Sequence, residues 1–337
     1  MKFRVRKSAL KVILLLLLVV LCALGVFWLL QRWEQRDTVE MPGEPAQETG
    51  ENPGMVYYDG GWYAPRENME TILLMGLDEY AKETSGEGYS NFQQADFLLL
   101  ILLDHAAKTA SAIHLNRDTM TDIQILGVTG APAGSFTGQL ALAHTYGDGG
   151  RVSCENTVEA VSNLLYGVSI DHYLSLTMDA IPILNDLVGG VEVTVLDDFS
   201  EVDSSMVQGE TVLLQGQQAL TYVRTRRGLE DSSNLHRMER QRQYMLGLME
   251  QLQRASAEDP DFMIDAVLSV NDYFVSDYTV EQLSALGGNA ESYRFDEIYT
   301  LEGEAVQGEQ YMEFYVDETA LQCLVMELFY VPNTEES

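Results

Sequence analysis

The rhythm of apolar and polar positions changes three times along the chain. Residues 12–30 (VILLLLLVVLCALGVFWLL) are apolar without interruption and carry no charge. At about 1.5 Å of helical rise per residue, such a run crosses a hydrocarbon core of roughly 30 Å. Residues 34–54 are rich in Glu, Pro, Gly and Gln and nearly free of large apolar groups, the composition of a flexible stalk. Aromatic residues on both sides of Asp59-Gly60-Gly61 then predict a hairpin and the start of a folded domain. From residue 70 the pattern alternates between strand and helix signals. Strands are expected over 71–75, 97–103, 111–115, 172–176 and 191–195. The first three are short and continuously apolar, as in a sheet covered on both faces. Helices are expected over 154–166, 178–187, 216–224, 237–254 and 280–287, with a strand over 313–316 and a closing helix over 318–330. This is the pattern of one α/β domain.

Charge gives the apolar run an orientation. Lys2, Arg4, Arg6, Lys7 and Lys11 precede it with no acid among them, which places residues 1–11 in the cytoplasm as a basic tail. Everything after Arg32 is then external. A cleaved signal peptide is the alternative reading, but the run is long for one and Gln31-Arg32-Trp33-Glu34 lacks the small residues of a cleavage site. The expected organisation is a cytoplasmic tail over 1–11, a single transmembrane anchor over 12–30, a stalk over 31–54 and an extracellular domain over 55–337. Over the whole chain 52 acidic against 20 basic side chains give a net charge of −32, which excludes nucleic acid as a partner. The three cysteines, Cys22, Cys154 and Cys323, form no C-x-x-C pair and support neither a zinc site nor a disulfide framework. A bridge between Cys154 and Cys323 stays open. No HExxH, Walker or GxSxG pattern is present.

The few external cations are unevenly placed. Arg224, Arg226, Arg227, Arg237, Arg240 and Arg242 fall within 19 residues of an otherwise acidic domain. Arginine's planar fork suits phosphate oxygens and stays charged when partly buried, so the cluster points to an anion site. Arg227, Arg240 and Arg242 equally fit pairing with Glu230, Asp231 and Glu239. Arg224 and Arg226 are two apart, so at the end of a helix or on an extended turn both could reach one cleft, and Arg237 and Gln241 share one face of the next helix. Asp78 ends one apolar run, Asp96 begins another, and Arg117-Asp118 follows a third. Such strand ends are where α/β ligand sites form, although aspartates also stand there for turn reasons. Two carboxylates near phosphate are compatible with Mg²⁺. The stripes Val158, Val161, Leu164, Leu165, Ile181, Ile183 and Leu184 are read as core. His144 is read as a packing or hydrogen-bonding residue.

The order of these segments is more specific than any one of them. Ile72-Leu73-Leu74-Met75-Gly76-Leu77-Asp78 is followed by Ala95-Asp96, Leu115-Asn116-Arg117-Asp118-Thr119 and His144-Thr145-Tyr146-Gly147. Leu187-Val188-Gly189-Gly190-Val191, the segment 216–226 (GQQALTYVRTR) and Arg237-Met238-Glu239-Arg240-Gln241 complete the series. Over a motif core of residues 70–255, and more loosely to the C-terminus, the chain closely resembles the LytR-CpsA-Psr family of cell-wall glycopolymer ligases.

The resemblance implies a single three-layer α/β/α domain with a central mixed sheet and an apolar groove for a polyprenyl tail. It implies transfer of a teichoic acid, capsular or secondary wall polymer from undecaprenyl pyrophosphate to peptidoglycan in a Gram-positive cell. By motif, Asp78 and Asp96 carry Mg²⁺, or Mn²⁺ in its place. Arg117, Arg224, Arg226, Arg237 and Gln241 surround the pyrophosphate, and Arg117, Asp118 and Asp96 are the catalytic candidates. Asp96 and Asp118 both remain open as the base. Two segments depart from the family pattern: the usual Arg-Ser-Asp-Thr is Gln94-Ala95-Asp96-Phe97, and the proline before Arg-Asp is Asn116. These departures keep two other readings in play, a polyprenyl-pyrophosphate-binding regulatory protein and a lipid pyrophosphate hydrolase.

Overall fold

The computed structural model describes residues 54–78, 93–127, 130–225, 234–259, 262–278 and 293–333. The anchor expected over 12–30, the stalk up to residue 53 and the helix expected over 280–287 lie outside them. Among the described residues no helix is long and apolar enough to cross a membrane. The predicted hairpin is present as β1 (Val56–Tyr58) and β2 (Gly61–Pro65). Tyr58 pairs with Gly61, leaving Asp59 and Gly60 as a two-residue loop with φ of 44° and 80°. Positive φ at both loop positions matches strand twist, which is why Asp-Gly suits this turn. β15 (Tyr330–Pro332), at the other end of the chain, adds a third strand through Tyr330↔Pro65.

The apolar runs build the central sheet. β3 (Met69–Leu77), β4 (Ala95–Asp104) and β5 (Thr109–Leu115) form an antiparallel meander. β8 (His172–Thr177) lies parallel to β3, and β11 (Phe274–Ser276) closes that edge antiparallel to β8. β12 (Arg294–Thr300) lies parallel to β5 at the other edge, giving the mixed order β11-β8-β3-β4-β5-β12. Strand pleating sends alternate residues to opposite faces. Leu73, Met75, Leu98 and Leu100 pack against α1 (Arg151–Leu164) and α6 (Glu318–Phe329). Ile72, Leu74, Leu99 and Ile101 face α4 (Asn234–Glu258) through Met245. Each such leucine contributes about 1.5–3 kcal/mol by burial, and covering both faces explains why these strands are apolar throughout.

A second core surrounds the far side of α4. Tyr244, Leu248 and Leu252 pack there with α2 (Ala180–Leu187), α3 (Gln217–Arg224), α5 (Phe262–Ser269) and the hairpin β9 (Val191–Thr194)–β10 (Thr211–Leu214). The hairpin β6 (Met120–Leu126)–β7 (Pro132–Gln139) was not expected from the sequence, and of β13 (Gly303–Gln307)–β14 (Met312–Val316) only the second strand was, over 313–316. Pro132–Gln139 is mostly exposed and made of small and polar residues, so it carries almost no hydrophobic signal. The sequence left Cys154 and Cys323 open to bridging; both are free thiols, Cys154 buried and Cys323 half-buried.

Candidate functional site

The expected site residues that the structure describes lie where the ends of β3, β4 and β5 meet α3 and α4. Asp78 directly follows β3, and a β-bulge between Gly76 and Leu77 turns the strand end there. Gly76 is needed for close approach: a Cβ at this position would lie 2.9 Å from Phe97 Cβ on the neighbouring strand. The Asp78 and Gln94 backbones are tied by Asp78 N–H to Gln94 O at 3.0 Å. Gln94 N–H also donates to Asp78 Oδ1 at 2.8 Å. Burial pushes the Asp78 carboxyl upward, partly opposed by these backbone bonds and by the charges of Arg117 and Arg224.

Asp96, near the start of β4, is the hub. Its Oδ1 accepts from Arg117 Nη1, and its Oδ2 from Arg237 Nη1 at 2.8 Å. All three side chains are buried: Asp96 is 8 %, Arg117 6 % and Arg237 1 % exposed. Such guanidiniums stay charged, and a carboxylate shared between two of them holds both in place. Arg117 Nη2 also donates to Gln94 Oε1, so the glutamine in the divergent segment braces the arginine. Asp118 lies behind this pair. Its Oδ1 accepts from Gln139 Nε2 at 2.9 Å and faces Arg117 Nε at 3.4 Å.

Arg237 and Gln241 do share one face of α4. Arg237 reaches Asp96, and Gln241 Nε2 donates to Val223 O at 3.3 Å while its side chain lines a cavity of about 130 Å³. The cavity runs between β3, β4, β8 and α4 and is walled by Leu74, Phe97, Ile181, Met245 and Leu248. Asp96, Thr177 and Gln241 are its polar lining side chains. The apolar stripes are thereby divided. Val158, Val161, Leu164 and Leu165 belong to the core beneath the sheet, Ile183 and Leu184 to the second core, and Ile181 to the cavity wall.

Arg224 is the last residue of α3 and is exposed, close enough to Asp78 for its charge to act there. Arg226 and Arg227 lie outside the described residues. Arg240 serves the scaffold. Its Nε donates to Tyr222 O at 2.9 Å, and its two terminal nitrogens reach Thr225 O and Asp197, so it caps the C-terminal end of α3. Among the described residues its acidic partner is Asp197; of the local acids considered from sequence, Glu230 and Asp231 lie outside them. Arg242 is half-buried, and burial lowers its pKa, partly offset by the neighbouring Glu239 charge.

His144 is fully buried, its Nδ1 2.9 Å from Gln93 O, and burial holds its pKa at about 4. Cys154 Sγ lies 3.7 Å from His144 Nε2, and burial pushes its thiol up to about 11, so it is an unreactive core thiol. Sequence reading passed over Gln139 and Asn234. Asn234 alone carried a local signal, as a side-chain amide at a helix start three residues before Arg237.

Residues 46–328 match the family model LytR_cpsA_psr. The chain belongs to the LytR_cpsA_psr family. Among curated relatives, it is 33 % identical over 193 residues to the polyisoprenyl-teichoic acid–peptidoglycan teichoic acid transferase TagV of Bacillus subtilis, covering 55 % of this chain and 44 % of that one. It is 30 % identical over 199 residues to TagU of Halalkalibacterium halodurans, named for the same transfer, covering 58 % of each. These matches span about half the length of the relatives. Among solved structures, protein gbs0355 of Streptococcus agalactiae superposes with a TM-score of 0.61 at 18 % identity, covering 77 % of this chain and 86 % of that one. At that identity the likeness is one of fold. The family's motif glycine Gly190 has a packing reason here, since a Cβ on it would lie 2.7 Å from Leu214 O.

Proposed function

We propose that the chain transfers a glycopolymer, such as a teichoic acid, capsular or secondary wall polysaccharide, from undecaprenyl pyrophosphate to peptidoglycan. The observation that carries this reading is the junction at Asp96. There an apolar cavity ends at a carboxylate shared by two buried guanidiniums, one from the sheet and one from α4. An apolar cavity suits a polyprenyl tail, and arginine forks suit pyrophosphate oxygens. The names of the relatives point to the same reaction. Residues 12–30 supply an anchor in this reading, with the N-terminus cytoplasmic and the catalytic domain outside, so the site works close to the lipid that carries its donor.

In the transfer, an acceptor sugar hydroxyl forms a bond to the phosphorus bearing the glycan. The bridging P–O bond breaks, polyprenyl phosphate leaves with the electron pair, and the hydroxyl proton passes to a base. Phosphoryl transfer depends mainly on positioning and charge neutralisation. Arg117 and Arg237 supply fixed positive charge at the inner end of the site, while Arg224, with Arg226 beside it in sequence, supplies charge at the outer end. Gln241 sits where the lipid and phosphate portions meet. The Gln139 and Arg117 contacts of Asp118 support its orienting Arg117 over its acting as the base.

The carboxylates also suit a divalent cation. Asp78 and Asp96 stand at the joined ends of β3 and β4, Asp96 already shared by two guanidiniums, and burial raises the Asp78 carboxyl, an imbalance that a nearby cation would relieve. Mg²⁺ is commonly held by one or two carboxylates together with substrate phosphates and waters. Bound by Asp78 and Asp96, Mg²⁺ or Mn²⁺ would supply positive charge to phosphate oxygens.

The test uses the full-length chain with a synthetic polyprenyl-pyrophosphate disaccharide and peptidoglycan oligomers. Release of polyprenyl phosphate that requires the acceptor is the expected result. Release without acceptor would mark a hydrolase, and retention of intact lipid would mark a binding protein; either overturns transfer.

A further inference from the structure

We infer that Asn116 and Asn234 form a positioning pair that sets the geometry of Arg117 and Arg237. The inference deepens the transferase reading and rests on it. Asn116 stands immediately before Arg117, where the resemblance leads one to expect proline, and its side chain is 4 % exposed. Its Oδ1 accepts two hydrogen bonds. One is from Asp118 N–H at 3.0 Å, closing a tight loop around Arg117. The other is from Asn234 Nδ2 at 2.5 Å, across 118 positions of sequence. Asn234, itself 9 % exposed, turns its Oδ1 to Arg237 Nη2 at 2.5 Å.

The result is one continuous polar path. It runs from the Asp118 backbone through Asn116 and Asn234 to Arg237, then through Asp96 to Arg117 and Gln94. The path joins the turn after β5 to the first turn of α4, the two elements that carry the buried arginines. Each amide has a forced orientation. Reversing Asn234 would aim its NH₂ at a guanidinium and its oxygen at the Asn116 oxygen, so the pair is satisfied in one arrangement only. Proline at 116 could supply neither the side-chain acceptor nor the link to α4. This chain therefore fixes the spacing of its two arginines by an amide pair. A shift of about 1 Å in such groups costs up to roughly a hundredfold in rate, so Asn116 and Asn234 act on the reaction through the arginines without touching the substrate.

The experiment is a mutant cycle on the full-length chain with two readouts: transfer kinetics, and calorimetric binding of geranylgeranyl pyrophosphate. Asn116→Ala and Asn234→Ala should each lower kcat/KM roughly 10–100-fold. The double variant should be no worse than the poorer single one, since both break one path. Asn234→Ala added to Arg237→Ala should cause no further loss. Asn116→Asp keeps an oxygen for both donors and should stay close to the parent. Additive losses, an undiminished effect of Asn234→Ala without Arg237, or an Asn116→Asp variant as poor as Asn116→Ala would overturn the pair. If the parent binds the lipid pyrophosphate but never transfers glycan, the transferase reading fails while the pair is still decided by binding. Asn variants that bind like the parent would then overturn the pair.

Discussion

Asp96→Asn is the most informative single substitution. The parent carboxylate is shared by two guanidiniums that are almost wholly withdrawn from water. The amide keeps one acceptor oxygen for one arginine and turns its NH₂ toward the other, so a buried positive charge loses its partner. Removing one member of a buried ion pair costs about 3–5 kcal/mol. The surviving neutral hydrogen bond places the expected loss near the lower end, about 3 kcal/mol. For a domain of this size that is a fall of about 6–12 °C in the unfolding midpoint. Differential scanning calorimetry of parent and variant at pH 7, with and without inorganic pyrophosphate, measures it. Because the stranded arginines gain more from an added anion, pyrophosphate should raise the variant's midpoint more than the parent's. A variant melting within about 2 °C of the parent, with an equal response to pyrophosphate, would refute the picture of Asp96 as the shared counter-ion.

Three other outcomes are expected. Arg240→Ala should lose about 3 kcal/mol, because it leaves the buried Asp197 carboxylate facing His236 without its guanidinium and releases the end of α3; urea denaturation should show a lower midpoint with an unchanged slope. Leu248→Trp should fill the cavity wall and weaken geranylgeranyl pyrophosphate binding roughly tenfold, the effect of displacing some 50–60 Å² of buried lipid contact. Inorganic pyrophosphate, which needs no cavity, should bind as before in calorimetry. His144 has a folded pKa of about 4 against 6.5 for the free group. Between those values the unfolded chain binds more protons than the folded one, so lowering the pH through 6.5 toward 4 removes stability. From pH 7 to 5 this histidine accounts for about 2 kcal/mol of that loss, and denaturation of His144→Gln at both pH values should show a fall smaller by that amount.

The legible parts of the fold were those whose signal is local. The runs in β3, β4 and β5 announced a doubly covered sheet, and Asp59-Gly60 announced its turn. The spacing of Arg237 and Gln241 put both on one helical face, as the structure has it. Strands β7 and β13 lie largely in solvent and gave no hydrophobic pattern, so neither hairpin was legible, although strand β14 was. Long-range partners were also hidden. Arg240 pairs with Asp197, 43 positions away in sequence and buried beside it. Gln94 and Asn116 were visible as departures from the family pattern, but nothing in the sequence indicated that they brace Arg117 and bond to Asn234.

The most direct test of glycan transfer is mass spectrometry of peptidoglycan oligomers incubated with the full-length chain, a polyprenyl-pyrophosphate disaccharide and Mg²⁺. The predicted product carries the disaccharide through one phosphodiester, with one phosphorus retained, and is absent from Asp96→Ala and Arg237→Ala reactions. Oligomers that remain unmodified while free disaccharide phosphate accumulates would contradict the assignment.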